Sequence, residues 1–194
     1  MTFARTALGL TCLLALVAAQ AASAQAQAPA RHGEHETHSA IPHGFRYVPL
    51  PPGPHLAIAL FTPTPDSPFP YNAQISVILD KVGPAVAVDS QYSHFSGVFK
   101  SSCAGNVDAR VLAQGMQNNY AYGEWLLSCD ADKSTGKPVF TVMKSVLGQS
   151  LAYFYEYDIQ AKADDAAVKA VKDYLDAEGL CDDTSASHPC QAAN

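Results

Sequence analysis

The stretch NNYAYGEWLLSCDADKSTGKPVFTVMKSVLGQSLAYFYEYDI, residues 118–159, decides the fold. It holds three runs rich in aromatic and β-branched residues, at 120–129, 137–147 and 150–159, and such runs are typical of strands. The turn formers of DADKSTG separate the first two runs, and Gly148 allows the turn before the third. The stretch therefore predicts three consecutive strands of an antiparallel sheet.

Three further strands are predicted upstream, at 45–50, 55–62 and 72–82. The last of them alternates apolar residues in NAQISVILDKV, as a half-buried strand does. Between the last two, the segment PTPDSPFP breaks the chain, because proline has no N–H to donate to a sheet. The sheet is therefore expected to have about five to six strands.

Two helices are predicted, at about 85–102 and 164–178. In the first, apolar residues recur at intervals of four, three and four, with Asp89 as the expected N-cap. In the second, Asp164 and Asp165 suit the positive end of the helix, and Gly179 is expected to follow it in a left-handed conformation. The pattern indicates a single α+β domain over 44–194, with both helices on one face of the sheet.

The N-terminus has the features of a secretory signal peptide over residues 1–24. A positive charge precedes the apolar run LGLTCLLALVAA, and the small residues of ASA mark cleavage after Ala24. The alternative is an N-terminal membrane anchor, but the run is short for a membrane span. No second apolar segment is long enough to cross a membrane. We therefore expect a periplasmic or secreted protein.

Composition excludes one class of partner. Hydrophobic residues make up 48% of the chain, which is enough for a core, and charged residues make up 15%. The net charge is −6 and no basic patch stands out, so nucleic acid is not an expected partner.

Four cysteines remain after signal cleavage: Cys103, Cys129, Cys181 and Cys190. An even number in an exported chain suggests disulfides, and three pairings are possible. The pairing Cys103–Cys129 with Cys181–Cys190 is favoured because each pair brackets a compact segment. The alternative is free or metal-bound thiols.

The sequence HGEHETH, residues 32–38, lies in a segment at 25–43 that has no hydrophobic period and is interpreted as a flexible leader. Imidazole binds Zn²⁺, Cu²⁺ and Ni²⁺, so the histidines of this leader are candidate metal ligands: His32, His35, His38 and His43. The alternative is a solvated leader whose histidines bind nothing specific. No other cofactor is expected.

A second candidate site is aromatic. Side chains with an apolar body and a polar tip suit binding surfaces, and the strands carry several of them: Trp125, Tyr153, Tyr155 and Tyr157. The alternative is a sheet face packed beneath a helix, with the hydroxyl groups at its rim.

The segment at about 95–190 resembles a family of exported bacterial proteins of unknown function, which is similar to the Mog1/PsbP-like α/β sandwich. The shared pattern is a W-x-x-x-C strand, a loop with T-G-K-P, a strand pair and a C-D…H-P-C tail. The matching residues are Trp125, Cys129, 135–138, Cys181, Asp182, His188, Pro189 and Cys190. The resemblance implies a binding or assembly accessory rather than an enzyme, and it supplies no catalytic residues.

The functional expectation is therefore an exported non-catalytic accessory or binding protein, whose ligand or partner, such as another exported protein, is unknown. The first alternative is a periplasmic transition-metal-binding protein that uses the leader. The second is a hydrolase, which the sequence supports poorly because GQSLA at 148–152 lacks the second glycine of a nucleophile elbow.

Overall fold

The structure is a computed structural model that describes residues 33–37, 44–49, 56–65, 74–81 and 87–190. The predicted signal peptide and most of the predicted leader lie outside these residues. The elements in chain order are β1 (Glu34–Thr37), β2 (Phe45–Pro49), β3 (Leu56–Pro63), β4 (Gln74–Lys81), α1 (Val88–Ser102), β5 (Val107–Gln117), β6 (Tyr120–Cys129), β7 (Val139–Leu147), β8 (Leu151–Ile159), α2 (Asp165–Asp176) and β9 (Gly179–Asp182).

Seven strands form one antiparallel sheet in the order β2-β3-β4-β8-β7-β6-β5, and β1 pairs with β9 in a separate two-stranded sheet. The predicted α+β fold with two helices and an antiparallel sheet is confirmed. Three strands were not predicted: β1, β5 and β9. In the described part of the chain, neither helix has the length and hydropathy needed to cross a membrane.

The two helices lie on opposite faces of the sheet, so the expectation of a single covered face is wrong. On one face, Trp125, Met143 and Phe154 pack with residues of α1. On the other face, the buried residues of the strands pack with α2, and this larger cluster includes Leu126, Val142, Tyr155, Val171 and Leu175.

Each face of the sheet carries one helix because the three central strands have apolar side chains on both faces. Trp125 and Leu126 are neighbours in β6 and point to opposite faces, yet each is only 1% exposed. A strand that is buried on both faces reads as a nearly continuous apolar run, and it needs a covering layer on each side. The continuous burial of β6 to β8 therefore requires one helix per face.

Only one of the predicted helix-capping residues is confirmed. Asp164 caps α2 as predicted, since its side chain accepts a hydrogen bond from the Ala167 N–H at 2.8 Å. Asp89 is not the N-cap of α1: Ala87 occupies that position without a side-chain hydrogen bond, and Asp89 lies in the first turn. Gly179 is not left-handed but begins β9.

A buried charge fastens α2 to the sheet. Lys144 in β7 is 1% exposed, and its Nζ donates to the carbonyl oxygens of Leu175 at 2.9 Å and Glu178 at 2.7 Å. These carbonyls lie at the negative end of α2, where a cation is favoured. The same Nζ is 3.6 Å from the Glu124 carboxylate, which Lys172 of α2 also contacts at 2.9 Å. The C-terminal end of α2 is therefore held by a polar network inside the core.

We predict that Lys144→Met destabilises the protein by about 3–5 kcal/mol, because two buried carbonyls lose their donor and the buried Glu124 keeps only Lys172 as a partner. The matched control is Lys169→Ala, which removes an exposed ion pair with Asp173 and should cost less than about 1 kcal/mol. Urea unfolding of both variants measures the difference. Equal losses in the two variants would contradict a central role for Lys144.

Candidate functional site

The two predicted disulfides are both present, and they differ in their surroundings. Cys103–Cys129 joins the end of α1 to the end of β6, and its two residues are buried. Cys181–Cys190 links β9 to the C-terminal tail, where Cys181 is buried and Cys190 is half-buried.

The second disulfide lies against a histidine from the N-terminal segment. Residues 34–37 form strand β1 rather than a flexible leader, and β1 pairs with β9 so that His35 is opposite Cys181. The His35 Nε2 is 3.4 Å from the Cys181 sulfur and 3.6 Å from the Cys190 sulfur. The structure therefore brings one predicted metal ligand into contact with one predicted disulfide.

The orientation of the His35 ring is fixed by its other nitrogen. Nδ1 is 2.7 Å from the Gly33 carbonyl oxygen. Because a carbonyl can only accept, Nδ1 carries the hydrogen, and the neutral ring has its lone pair on Nε2. That lone pair faces two disulfide sulfurs, which have no hydrogen to donate.

Glu34 anchors β1 to the turn between β7 and β8. Its carboxylate accepts hydrogen bonds from the Gln149 N–H at 2.7 Å and from the Tyr153 hydroxyl at 3.3 Å. Burial, followed by the charge of Glu34, raises the pKa of Tyr153. A Cβ at Gly148 would overlap the Glu34 carboxylate, so a larger residue there would have to displace that side chain.

The tip of the β5–β6 hairpin holds the tail loop. Asn118 and Asn119 have positive φ values of 48° and 63°, a conformation that asparagine tolerates. The Asn118 amide donates to the Leu180 carbonyl at 3.0 Å and the Pro189 carbonyl at 3.3 Å, and the Asn119 amide donates to the Ser187 carbonyl at 2.6 Å. The loop is thus held on both sides of the disulfide by bonds that involve no sulfur.

A ring contact also holds the tail loop against the β5–β6 hairpin. The His188 ring stacks on Tyr120, with the ring centroids 4.2 Å apart, and its Nδ1 bonds the Asn118 carbonyl at 2.9 Å. Burial and the nearby charge of Glu34 raise the pKa of Tyr120 to about 12, so this hydroxyl stays protonated at neutral pH. The tail loop is therefore held by a ring contact as well as by the amides of the hairpin.

The other predicted site residues either lie outside the described part of the chain or are buried. His32, His38 and His43 lie outside the described residues. The proposed aromatic surface is wrong, because all four of its members are between 1% and 4% exposed and form the core: Trp125, Tyr153, Tyr155 and Tyr157. The alternative interpretation, in which these residues belong to sheet faces packed beneath a helix, is the correct one.

The strand β5, which was not predicted from the sequence, carries two exposed apolar side chains. Val111 is 45% exposed and Met116 is 65% exposed. The pairing of β5 with β6 places both on the face that carries α1, opposite Trp125 and Ala121 respectively. Beside them, an open cavity of about 390 Å³ lies between β5 and the start of α1. We call it the β5 groove, and it is lined by Ala87, Val88, Asp89, Gln114, Gly115, Ala121, Tyr122 and Leu147.

A second cavity, of about 300 Å³, lies at the N-terminal end of α2. Charges of both signs line it, including Asp108, Arg110, Lys162 and Asp164. Arg110 and Asp108 are 3.7 Å apart. Because Asp130 and Asp165 also line it, its four carboxylates outnumber its two cationic side chains, and an anionic ligand is disfavoured there.

No protein-family model matches the chain, and no curated protein matches it in sequence. Among solved structures, the Ran-binding protein Mog1p of Saccharomyces cerevisiae is 10% identical with a TM-score of 0.54, and the match covers 79% of this chain and 98% of that chain. A point mutant of protein Mog1 is 12% identical with a TM-score of 0.53, covering 78% and 98%. PsbP of the cyanobacterium Synechocystis is 10% identical with a TM-score of 0.48, covering 79% and 96%.

The two Mog1 structures show that this chain has the Mog1-like fold, as the resemblance implied. The matches extend over more of the chain than residues 95–190, on which that resemblance depended. At such identities they show the fold alone, and the function has to be argued from the sites themselves.

We predict that Gly148→Ala releases β1 from the turn, because the new methyl group displaces the Glu34 carboxylate and would lie 2.9 Å from the Tyr153 ring. A hydrogen bond to a charged group contributes about 1.5–3 kcal/mol, so hydrogen exchange of the β1 amides should accelerate at least about 10-fold. Gly97→Ala is the control, since nothing lies within 4 Å of a Cβ there. Unchanged exchange in Gly148→Ala would show that Glu34 does not hold β1.

Proposed function

We propose that this protein is an exported, non-catalytic accessory protein that binds an extended segment of another exported protein along the outer edge of β5. The observation that carries the proposal is the combination of a long outer strand with the apolar β5 groove beside it. An extended peptide can add a strand to such an edge, and a neighbouring pocket can select one of its side chains.

The edge itself supports this role. β5 has eleven residues and ends the seven-stranded sheet, whereas the opposite edge strand, β2, has five. Among the described strands, only β6 pairs with β5. The Ala109 carbonyl accepts a hydrogen bond from the Tyr92 hydroxyl of α1 at 2.8 Å, so the backbone groups available to a second chain are those farther along the strand.

Exposed hydrophobic side chains also concentrate there. Of the four large hydrophobic side chains that are exposed in the described part of the chain, two lie on β5, namely Val111 and Met116. Both lie on the face with the β5 groove, whose volume of about 390 Å³ suits one apolar side chain and part of its backbone. The chemistry expected of the partner is an extended segment with an apolar residue that enters the groove.

The first half of β5 is protected against indiscriminate pairing. Asp108 and Arg110 place charges on this edge, and the register shifts between Val111 and Ala113. Charges and bulges of this kind limit aggregation at sheet edges. Pairing with a partner is therefore directed to residues 113–117, the part nearest the groove.

Two further observations support an exported binding protein. Two disulfides are typical of proteins that reside in oxidising compartments. Mog1p, which has the same fold, is described as a Ran-binding protein, so the scaffold is compatible with binding to another protein.

A second candidate function is transition-metal binding by the histidines at 32–43. It is favoured by His35, whose Nε2 lone pair lacks a hydrogen donor at the disulfide. His32, His38 and His43 would complete the ligand set for Zn²⁺, Cu²⁺ or Ni²⁺.

The decisive variant is Val111→Asp combined with Met116→Asp, because both side chains are exposed and their loss should leave the fold intact. Burial of a methionine side chain contributes about 1.5–3 kcal/mol, so affinity for a partner captured from a periplasmic extract should fall at least about 10-fold. Val98→Asp is the matched control, since Val98 is 54% exposed on α1.

The captured partner is then purified, and hydrogen exchange is measured on the complex. Protection of 113–117 by a partner that binds Val98→Asp normally supports the proposal. A partner that binds the double variant equally well, or that protects another surface, contradicts it. If the protein forms a dimer in solution and the double variant abolishes it, the segment that binds the β5 edge belongs to a second copy of this chain.

A further inference from the structure

We propose that reduction of the Cys181–Cys190 disulfide creates a transition-metal site whose ligands are the two thiolates and the His35 Nε2. The inference is independent of the β5 groove. It also differs from metal binding by the leader histidines, because it needs both tail cysteines and only one of those histidines.

The distances fit such a site. Zn–S bonds are about 2.3 Å and Zn–N bonds about 2.0–2.1 Å, so a tetrahedral centre separates sulfur from nitrogen by about 3.5 Å. The His35 Nε2 is 3.4 Å from the Cys181 sulfur and 3.6 Å from the Cys190 sulfur. The nitrogen is thus already at the spacing of a ligand relative to both sulfurs. Only the two sulfurs must separate, as they do when their bond is cleaved.

The tautomer and the ring orientation of His35 suit coordination of a metal ion. Its Nδ1 hydrogen is bonded to the Gly33 carbonyl at 2.7 Å, which leaves the Nε2 lone pair directed at the sulfurs. Metal-binding histidines usually have their second nitrogen bonded in this way, and the bond fixes the ring and its tautomer.

The cysteines should remain adjacent after reduction, because the backbone around them is held by other bonds. Cys181 lies in β9, which pairs with β1 along four residues. The segment before Cys190 is bonded to the β5–β6 hairpin through Asn118 and Asn119. The Asp182 N–H also donates to the His188 carbonyl at 2.7 Å, which closes the loop. The loop geometry therefore does not depend on the disulfide alone.

The reaction needs a dithiol reductant. The reductant supplies two electrons and two protons, the S–S bond breaks, and two thiols form while the reductant becomes a disulfide. A Zn²⁺ ion then displaces one proton from each thiol and binds the two thiolates together with the neutral imidazole. Reoxidation needs a disulfide oxidant: it accepts the two electrons and is reduced to a dithiol, the Cys181–Cys190 bond re-forms, and the metal is released.

The two disulfides should differ in their access to a reductant. Cys190 is half-buried although Cys181 is only 2% exposed, so a reductant would reach the Cys190 sulfur. Both cysteines of the other pair are buried, with Cys103 8% and Cys129 4% exposed. Mild reduction should therefore open Cys181–Cys190 first, and thiol labelling followed by peptide mapping identifies the cysteines that have reacted.

The test measures metal binding to the chain from Gln25 onward, oxidised and mildly reduced, with Zn²⁺ and Co²⁺ as the probes. The reduced protein should bind one ion per chain, and its Co²⁺ complex should show thiolate charge-transfer absorption. The oxidised protein should show no such absorption. His35→Ala should weaken binding at least about 10-fold, since even outer contacts of a metal ligand contribute 10- to 100-fold.

Two control variants separate this site from other histidines. His94→Ala removes an exposed histidine of α1 and should leave binding unchanged. The triple variant His32→Ala, His38→Ala, His43→Ala should also retain the reduced site. Binding that is equal in the oxidised and reduced proteins, or that is lost in the triple variant, would overturn the proposal.

The near-ultraviolet circular dichroism of Trp125, which is buried on the face that carries α1, reports whether reduction preserves the fold. A signal that is lost on reduction and not restored by Zn²⁺ would also overturn the proposal. Thiols that are protected from alkylation in His35→Ala as in the parent would show that the imidazole is not a ligand.

Discussion

A single buried ammonium group, on Lys144, determines how the two layers of the α2 side fit together. Transfer of a charge from water to a protein interior costs several kcal/mol unless partners replace the water. Here the replacements are the Glu124 carboxylate and two carbonyls at the end of α2. Burial lowers the pKa of Lys144 and raises the pKa of Glu124, and the charged form of Glu124 is favoured by Lys172 as well as by Lys144. Because these partners come from two elements, α2 can dock in only one position along β7. That position in turn sets where β9 begins, and β9 carries Cys181.

The parts of the fold that could be predicted from sequence are those in which one local signal agrees with the tertiary structure. The aromatic and β-branched runs became β6, β7 and β8 with almost the expected bounds, because strand propensity and burial favour the same residues there. Asp164 was recognisable because an N-cap acts within four residues. The disulfide pairing followed from short separations of 26 and 9 residues, which need little knowledge of the fold.

The rest depends on contacts between distant residues. The sequence of β5, VDARVLAQGMQ, mixes charges with apolar residues and shifts register at its centre, so its pattern is weak even though the strand is long. The strand β1 is polar throughout, and it forms because its partners lie more than 100 residues away: β9, and the Gln149 N–H and Tyr153 hydroxyl that donate to Glu34. The placement of the helices was missed for a related reason: apolar residues on both faces of the strands were interpreted as one core rather than two. The contact of His35 with Cys181 is a consequence of that same β1–β9 pairing, and no local pattern in HGEHETH indicates it.

The contrast between the two disulfides shows what a metal or redox role requires beyond the presence of cysteine. Cys103–Cys129 is buried and connects two elements of the core, so cleavage there would release a constraint on α1 and expose no ligand set. Cys181–Cys190 lies in a loop that hairpin amides and β1 already hold, so the bond contributes less to the position of its own sulfurs. A bond whose neighbours would remain in place without it can open and close at small cost to the fold. The oriented imidazole beside it gives the open state a chemistry that the closed state lacks.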